Sequence, residues 1–490
     1  MTMRARVCLW LVGLTLLAAP LAAAPLDGGY AVVVSQATDA QAEWHGVVQA
    51  LAAKYDAQVI SWRDAVTESR EPLKHLMPRY AAFVARPTEA GRPFVVAVSR
   101  LTRGLADDAY TDVLWGIVTG YEPADALRMV NAPPLIIHRG LGGTAIPLDA
   151  IGEGTWFDEG RRGHMVVKTA GGPAHDEPGP DDPAETIAEL LNTAAPDLWV
   201  TSGHATERDW QMGYSYPAGQ LRCQHGQLLS IPRDGIKISD DPAHPGRRIG
   251  TIVKAFPIHS ANPKVYLAMG NCLIGHLADR ESMAAAWLHS GGADQMVGYT
   301  VVTWFGYMGW GVGEYGLGQA GRFTVAEAFY ASQQALLYRL ATEFPGKPQL
   351  DLTEADYASE GAALGAIAAK LGYGNPNSAT AHENLGLLWD RDVVALYGDP
   401  AWEARLAPRT LPWDQTVTIA DGRITIAITA RAAAKPGRPI LVLLPGAMRA
   451  GRVLEGADLQ PVVARRFVML PKVKSLAAGQ SLRVVLEAAP

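Results

Sequence analysis

The chain has 490 residues, 48% hydrophobic and 19% charged, which excludes a largely disordered protein and asks for two or three folded domains. A formal net charge of -6 gives no general attraction to nucleic acid or to anionic lipid, so neither is expected as a partner.

Arg4 and Arg6 precede an apolar run at residues 7–17 and a stretch of small residues at 18–24. This is the pattern of a secretory signal peptide, cut after Ala23. The run is shorter than the roughly 20 residues that span a bilayer, and no later segment is long and apolar enough. An exported protein, periplasmic or extracellular and without a transmembrane segment, is expected. Cys8 leaves with the signal, so Cys223 and Cys272 remain. Counting alone leaves open a disulfide between them.

Tyr30-Ala-Val-Val-Val-Ser35 reads as a buried strand, residues 40–55 as a helix and Gln58-Val-Ile-Ser-Trp62 as a second strand, a βαβ start. Further strands are expected at residues 80–84, 94–98 and 113–118, then a helix at 123–130, giving an α/β sheet with helices on its faces. From Asn131 to about Asp182 the chain is rich in Gly, Pro and isolated charges, and its end reads as a surface loop. Asp182-Pro-Ala-Glu185 opens a helix to residue 193. A strand at 198–201 follows, then a polar, turn-rich insertion or β-ribbon at 210–262 and a buried strand at 265–269. Asp279 is a candidate cap for a helix at 283–288. Residues 295–299 read as a strand, and Thr324-Val-Ala-Glu327 is a capping box opening a long helix that stops at Pro345. Beyond about residue 412, short strands at hairpin spacing predict a small all-β sandwich.

Two apolar strands each run into a reactive residue: Leu198-Trp-Val-Thr-Ser-Gly-His204 and Val265-Tyr-Leu-Ala-Met-Gly-Asn-Cys272. Side chains converge on a ligand at the carboxyl ends of strands in an open α/β sheet. Neighbouring strands would bring His204 and Cys272 to one crevice. The imidazole can take the thiol proton, or stabilise the thiolate as imidazolium, and later protonate a leaving amine. Gly203 and Gly270 flank the pair where backbones must approach, and the amides of Ala205 and Cys272 are candidate oxyanion donors.

These motifs resemble the caspase-fold cysteine peptidases, and among them the gingipain family. The resemblance rests on Gly203-His-Ala-Thr-Glu-Arg-Asp-Trp210 and Gly270-Asn-Cys-Leu-Ile-Gly275. It extends to Asp294-Gln-Met-Val-Gly-Tyr-Thr-Val-Val-Thr-Trp304, to Tyr397-Gly-Asp-Pro-Ala-Trp402 and to the β-sandwich that follows. It implies an exported cysteine endopeptidase acting on protein or peptide substrates through a Cys272–His204 dyad and an acyl-enzyme. It also implies an orienting acid, for which Glu122 is the candidate, and a side-chain pocket lined by Thr303 and Trp304. The family's glycine after the histidine is here Ala205. The implied organisation is a signal peptide at 1–23, an N-terminal α/β subdomain at 24–130, a caspase-like catalytic subdomain at 131–411 and an immunoglobulin-like sandwich at 412–490.

Competing readings stand beside this one. A lone histidine after a strand is commonly structural. His225-Gly226 repeats the family dipeptide but follows no apolar strand. His276, four residues after Cys272, is a rival base if that segment is helical. The aromatic run Trp304, Phe305, Tyr307 and Trp310 is either packing or a pocket wall. The chain has 12 histidines but no His-Glu-x-x-His and no cysteine pair at ligand spacing, so no cofactor is expected; structural calcium stays open. The alternative function is a catalytically inactive gingipain-fold binding or assembly protein of the cell envelope.

Overall fold

The computed structural model describes residues 28–244, 247–447 and 449–489, so the expected signal peptide lies outside the described residues. A twelve-stranded mixed sheet runs through the α/β part. Its order is Gln58–Trp62, Tyr30–Ser35, Tyr80–Val84, Leu114–Val118, Val394–Tyr397, Ala293–Tyr299, Lys264–Ala268, Leu198–Thr201, Arg139–Gly142, Glu153–Phe157, His164–Lys168 and His175–Pro178. Neighbours are parallel except where Ala293–Tyr299 meets Val394–Tyr397 and along the last three strands. The central strands are buried throughout, as the runs YAVVVS, YAAFV, LWGIV, KVYLA and ADQMVGY require of strands covered on both faces. Helices pack over the sheet, for example Val325–Glu343, whose Phe329 meets Trp115 edge-on at 5.3 Å.

The expected strand at residues 94–98 is instead part of the helix Arg92–Arg103. The strands on either side of it, Tyr80–Val84 and Leu114–Val118, are parallel neighbours, and a parallel pair needs a crossover. Gly91 caps the helix with Pro93 in its first turn, and Phe94, Val95, Val96 and Val98 are all buried. A short apolar run buried on every side carries no period that separates strand from helix.

The stretch at 131–182 is richer in structure than its composition suggests. It supplies four strands of the main sheet, Arg139–Gly142 through His175–Pro178. The insertion at 210–262 is β structure as expected. It contributes to a four-stranded antiparallel sheet and a separate ribbon, Ile236–Asp240 with Arg248–Ile252. The helix Met283–Leu288 is present with Ser282 at its N-cap; Asp279 instead pairs with Arg208.

Beyond residue 412 the chain forms two antiparallel sheets, one of four strands and one of three. Ile424, Ile426, Ile428, Val442, Val468 and Leu486 build a hydrophobic cluster of their own. The three-stranded sheet is buried on both faces, however. Ile440, Val442, Leu444, Val468 and Leu470 point into that cluster, whereas Leu441, Phe467 and Met469 join the core of the α/β part. Phe467 packs edge-on against Tyr110 and Tyr330, and Arg466 donates to the carbonyls of Asp112 (3.0 Å) and Met77 (2.6 Å). The connection near residue 412 is therefore a change of architecture across which the hydrophobic core continues.

Candidate active site

Leu198–Thr201 and Lys264–Ala268 are adjacent and parallel, with Thr201 opposite Ala268. His204 and Cys272 thus follow the carboxyl ends of neighbouring strands, three and four residues beyond one aligned pair. The backbones approach closely there. A Cβ on Gly270 would stand 2.7 Å from Ser202 Oγ and 3.1 Å from Trp310 Nε1, and Gly203 has a φ of +90°. Both are positions that a side chain would disturb.

Asn271, fully buried, ties the two loops together. Its Oδ1 accepts from the Thr201 hydroxyl at 2.6 Å, and its Nδ2 donates to the Gly203 carbonyl at 3.3 Å. Tyr266, on the cysteine strand, completes the chain of bonds through its hydroxyl to Thr201 at 2.8 Å. Immediately after Cys272, Leu273 takes a left-handed φ of +58°, a sparsely populated conformation that turns the chain sharply. Leu273 N–H then bonds Val301 O and Gly275 N–H bonds Tyr299 O, both at 2.9 Å, so the cysteine loop runs along the end of the next strand.

That neighbouring segment holds the thiol. Thr303 N–H donates to Cys272 Sγ at 3.3 Å, Sγ lies 3.6 Å from Thr303 O, and the Thr303 hydroxyl donates to Asn271 O at 3.2 Å. Burial pushes the Cys272 thiol above its ordinary range; the Thr303 N–H opposes this and the Glu360 carboxylate adds to it. Cys272 and Cys223 are both free thiols. Cys223 is buried on the strand Gln220–Gln224, and burial pushes its thiol up to about 11.

His204 is exposed and stacks on Tyr214, with ring centroids 4.8 Å apart at 19°. Among the described residues no hydrogen bond joins His204 to Cys272. The thiol's partner is Thr303. Neither the Ala205 nor the Cys272 N–H has a hydrogen-bond acceptor among the described residues, since the Ala205–Trp210 bridge is closed by Thr206 N–H to Asp209 O and Gln211 N–H to His204 O. Both amides stay available to a ligand. Two large aromatics stay exposed at the crevice, Tyr214 (57%) on the histidine side and Trp310 (39%) over Gly270. Trp304 is half-buried in a cluster with Phe305, His382 and Trp389.

No family model, curated protein or solved structure matches this chain.

Glu122 is not brought to His204. It is the N-cap residue of the helix Pro123–Asn131, its N–H held by the Asp125 carboxylate at 3.0 Å, and three strands of the sheet separate its strand from that of His204. Glu159 is the acid on the histidine side of the crevice. Its Oε2 lies 3.1 Å from where a Cβ on Gly203 would be, its other oxygen accepts from the Thr144 hydroxyl at 2.7 Å, and its carbonyl accepts from Tyr214 N–H at 2.8 Å. Burial raises its carboxyl above the ordinary range; the Thr144 bond opposes the shift.

His276 is not on a helix. Burial, and then the Arg92 charge, lower its imidazole. His225 sits in the turn between Gln220–Gln224 and Gln227–Ile231, where its N–H and ring both meet Glu281. Among the described residues no group of three or more His, Cys, Asp or Glu is arranged to hold a metal, and no helix is long and apolar enough to cross a membrane.

Proposed function

We propose that the chain is a cysteine endopeptidase of the gingipain-like, caspase-fold type, with Cys272 as nucleophile and His204 as its acid and base. The observation that supports this most is the register of the two strands, which delivers a histidine and a cysteine to one crevice and ties their loops through Asn271. Burial raises the thiol above its ordinary range, so the scheme needs a base to act on it. In this reading the exposed His204 ring leaves its stack on Tyr214 and turns to the thiol when a substrate enters.

In this scheme His204 takes the proton as Sγ attacks the carbonyl carbon of the scissile peptide. The oxyanion that forms is held by the N–H groups of Ala205 and Cys272. His204 returns the proton to the departing amine as the C–N bond breaks, leaving a thioester. Water, deprotonated by the same imidazole, then releases the acid and restores the thiol. Glu159 replaces Glu122 as the acid proposed to orient His204, while Tyr214, Trp310, Thr303 and Trp304 are the proposed walls of the substrate crevice. The paired sheets beyond residue 412 are proposed to be an immunoglobulin-like sandwich bracing the enzyme.

A second reading has its own observation. The thiol bonds to Thr303 and not to His204, as suits a non-catalytic envelope protein that keeps this fold. Screening the purified chain against a peptide library decides between them. Peptide cleavage is expected, with Cys272→Ala, His204→Ala and the double change falling to one common floor, because residues acting in a single step lose activity non-additively. His276→Ala and His225→Ala are expected to keep most of the activity. Cleavage that survives Cys272→Ala, or a double variant far worse than either single one, would remove the dyad.

A further inference from the structure

A cleft of about 840 Å³ lies away from Cys272, at the seam between the α/β part and the C-terminal sheets. Its walls are the turn before the helix Val325–Glu343, the connecting chain at 405–417 and the end of the strand Ile440–Leu443. Five arginines line it, Arg79, Arg322, Arg405, Arg409 and Arg431, against the carboxylates of Glu327 and Asp414. This leaves an excess of three positive charges.

The way these arginines are partnered matters more than their number. Arg79 reaches Glu327 at 3.6 Å, Arg431 reaches Asp414 at 2.6 Å, and Arg405 pairs with Glu403. Arg322 and Arg409 differ from them. Arg409 donates to the carbonyls of Asp149 and Ile151, the latter at 3.0 Å, and Arg322 to Trp413 O and Gln319 Oε1. Neither forms an ion pair with a carboxylate among the described residues. Arg322 also lies over the Trp413 ring at 4.9 Å, and burial lowers its guanidinium to about 10. The Asp414 charge opposes that shift, but Asp414 is already paired with Arg431, so an entering anion adds the counter-charge that the half-buried Arg322 lacks at close range.

We propose that this cleft binds a ligand carrying at least two negative charges in phosphate or carboxylate groups, received by the guanidiniums of Arg322 and Arg409. Planar guanidinium forks suit the paired oxygens of either group, and a volume of this size is that of small-molecule sites. Because the walls come from both sides of the seam, a bound anion also fastens the C-terminal sheets to the α/β part. The site is independent of the thiol chemistry proposed above.

Thermal unfolding and titration calorimetry of the whole mature chain test this, with pyrophosphate and citrate as separate probes and sodium chloride at matched ionic strength as reference. A saturable rise in Tm is expected with at least one probe, and whichever gives it identifies the preferred group. Arg409→Gln, at an exposed position and checked for an unchanged Tm without ligand, is expected to weaken binding at least about tenfold, and Arg322→Gln likewise if it folds. Arg423→Gln, on the strand Arg423–Ala430 and outside the cleft, is expected to bind as the unchanged chain does. The proposal is overturned by the absence of a saturable effect with both probes, by effects that ionic strength alone reproduces, or by equal binding in Arg409→Gln.

Discussion

Replacing Asn271 by alanine removes a side chain that spans the histidine and cysteine loops, and its cost follows from the geometry. Two hydrogen bonds disappear, from the Thr201 hydroxyl at 2.6 Å and to the Gly203 carbonyl at 3.3 Å, each worth about 0.5–1.5 kcal/mol net. The Thr201 hydroxyl keeps Tyr266 as a partner at 2.8 Å and the Gly203 carbonyl is only part-buried, so neither group is left fully orphaned and the cost stays near that of the two bonds. Asn271→Ala should therefore destabilise the protein by roughly 1–3 kcal/mol, measured as a fall in the denaturant midpoint. Loosening the loops by about 1 Å is expected to slow peptide cleavage about a hundredfold. The rate of Cys272 alkylation, which needs no substrate, should change as well. Thr201→Val removes the same 2.6 Å bond from the other end, so the two changes should be non-additive in stability by about 0.5 kcal/mol or more. If Asn271→Ala stayed within about 0.5 kcal/mol of the parent and cleaved at full rate, or if the two changes simply added, the bridge would have no role in building the site.

Other consequences of the structure are open to measurement. Glu159→Gln is expected to lower kcat by about tenfold to a hundredfold while Glu122→Gln leaves it unchanged; the reverse order would return the orienting role to Glu122. Glu360 raises the Cys272 thiol through its charge, so Glu360→Gln should move the pH profile of alkylation to lower pH, and high salt should shrink the difference. An unmoved profile at low salt would remove Glu360 from the neighbourhood of the thiol. Phe467→Ala, at a fully buried ring that packs on Tyr110 and Tyr330, should cost about 3–5 kcal/mol. It should lower the unfolding midpoint of the α/β part along with that of the C-terminal sheets, whereas two independent transitions would show that the cores are separate.

The parts of the fold that were legible in the sequence are those where one physical signal acts alone. The run Tyr30-Ala-Val-Val-Val-Ser35 with its following helix, the capping box Thr324–Glu327 and the hairpin spacing beyond residue 412 each correspond to elements of the structure. The run at residues 94–98 misled because complete burial erases periodicity, and the need for a crossover between parallel strands decides its form only once their pairing is known. The extent to which Leu441, Phe467 and Met469 alternate with Val442, Val468 and Leu470 between two cores was likewise hidden, since a strand buried on both faces reads simply as apolar.

At the candidate site, the same distinction separates residues that a single strand marks from residues that only the sheet brings near. His204 and Cys272 stand out because each ends an apolar strand, a local pattern, and the adjacency of those strands is a separate fact that the parallel register supplies. Glu159 had no such local mark. It follows Glu153–Phe157, a strand that includes Gly154 and in which Phe157 alone is buried, inside a stretch rich in Gly, Pro and isolated charges that shows no strand pattern. Its nearness to Gly203 arises from the order of the sheet, in which only Arg139–Gly142 stands between its strand and that of His204. Asn271 was hidden differently. It lies next to Cys272 in a motif already singled out, but its work depends on facing Thr201, opposite Ala268 across the pair, which no reading of one strand at a time reveals. Spatial order in the sheet, more than the identity of any single residue, therefore determines which polar groups can serve this cysteine.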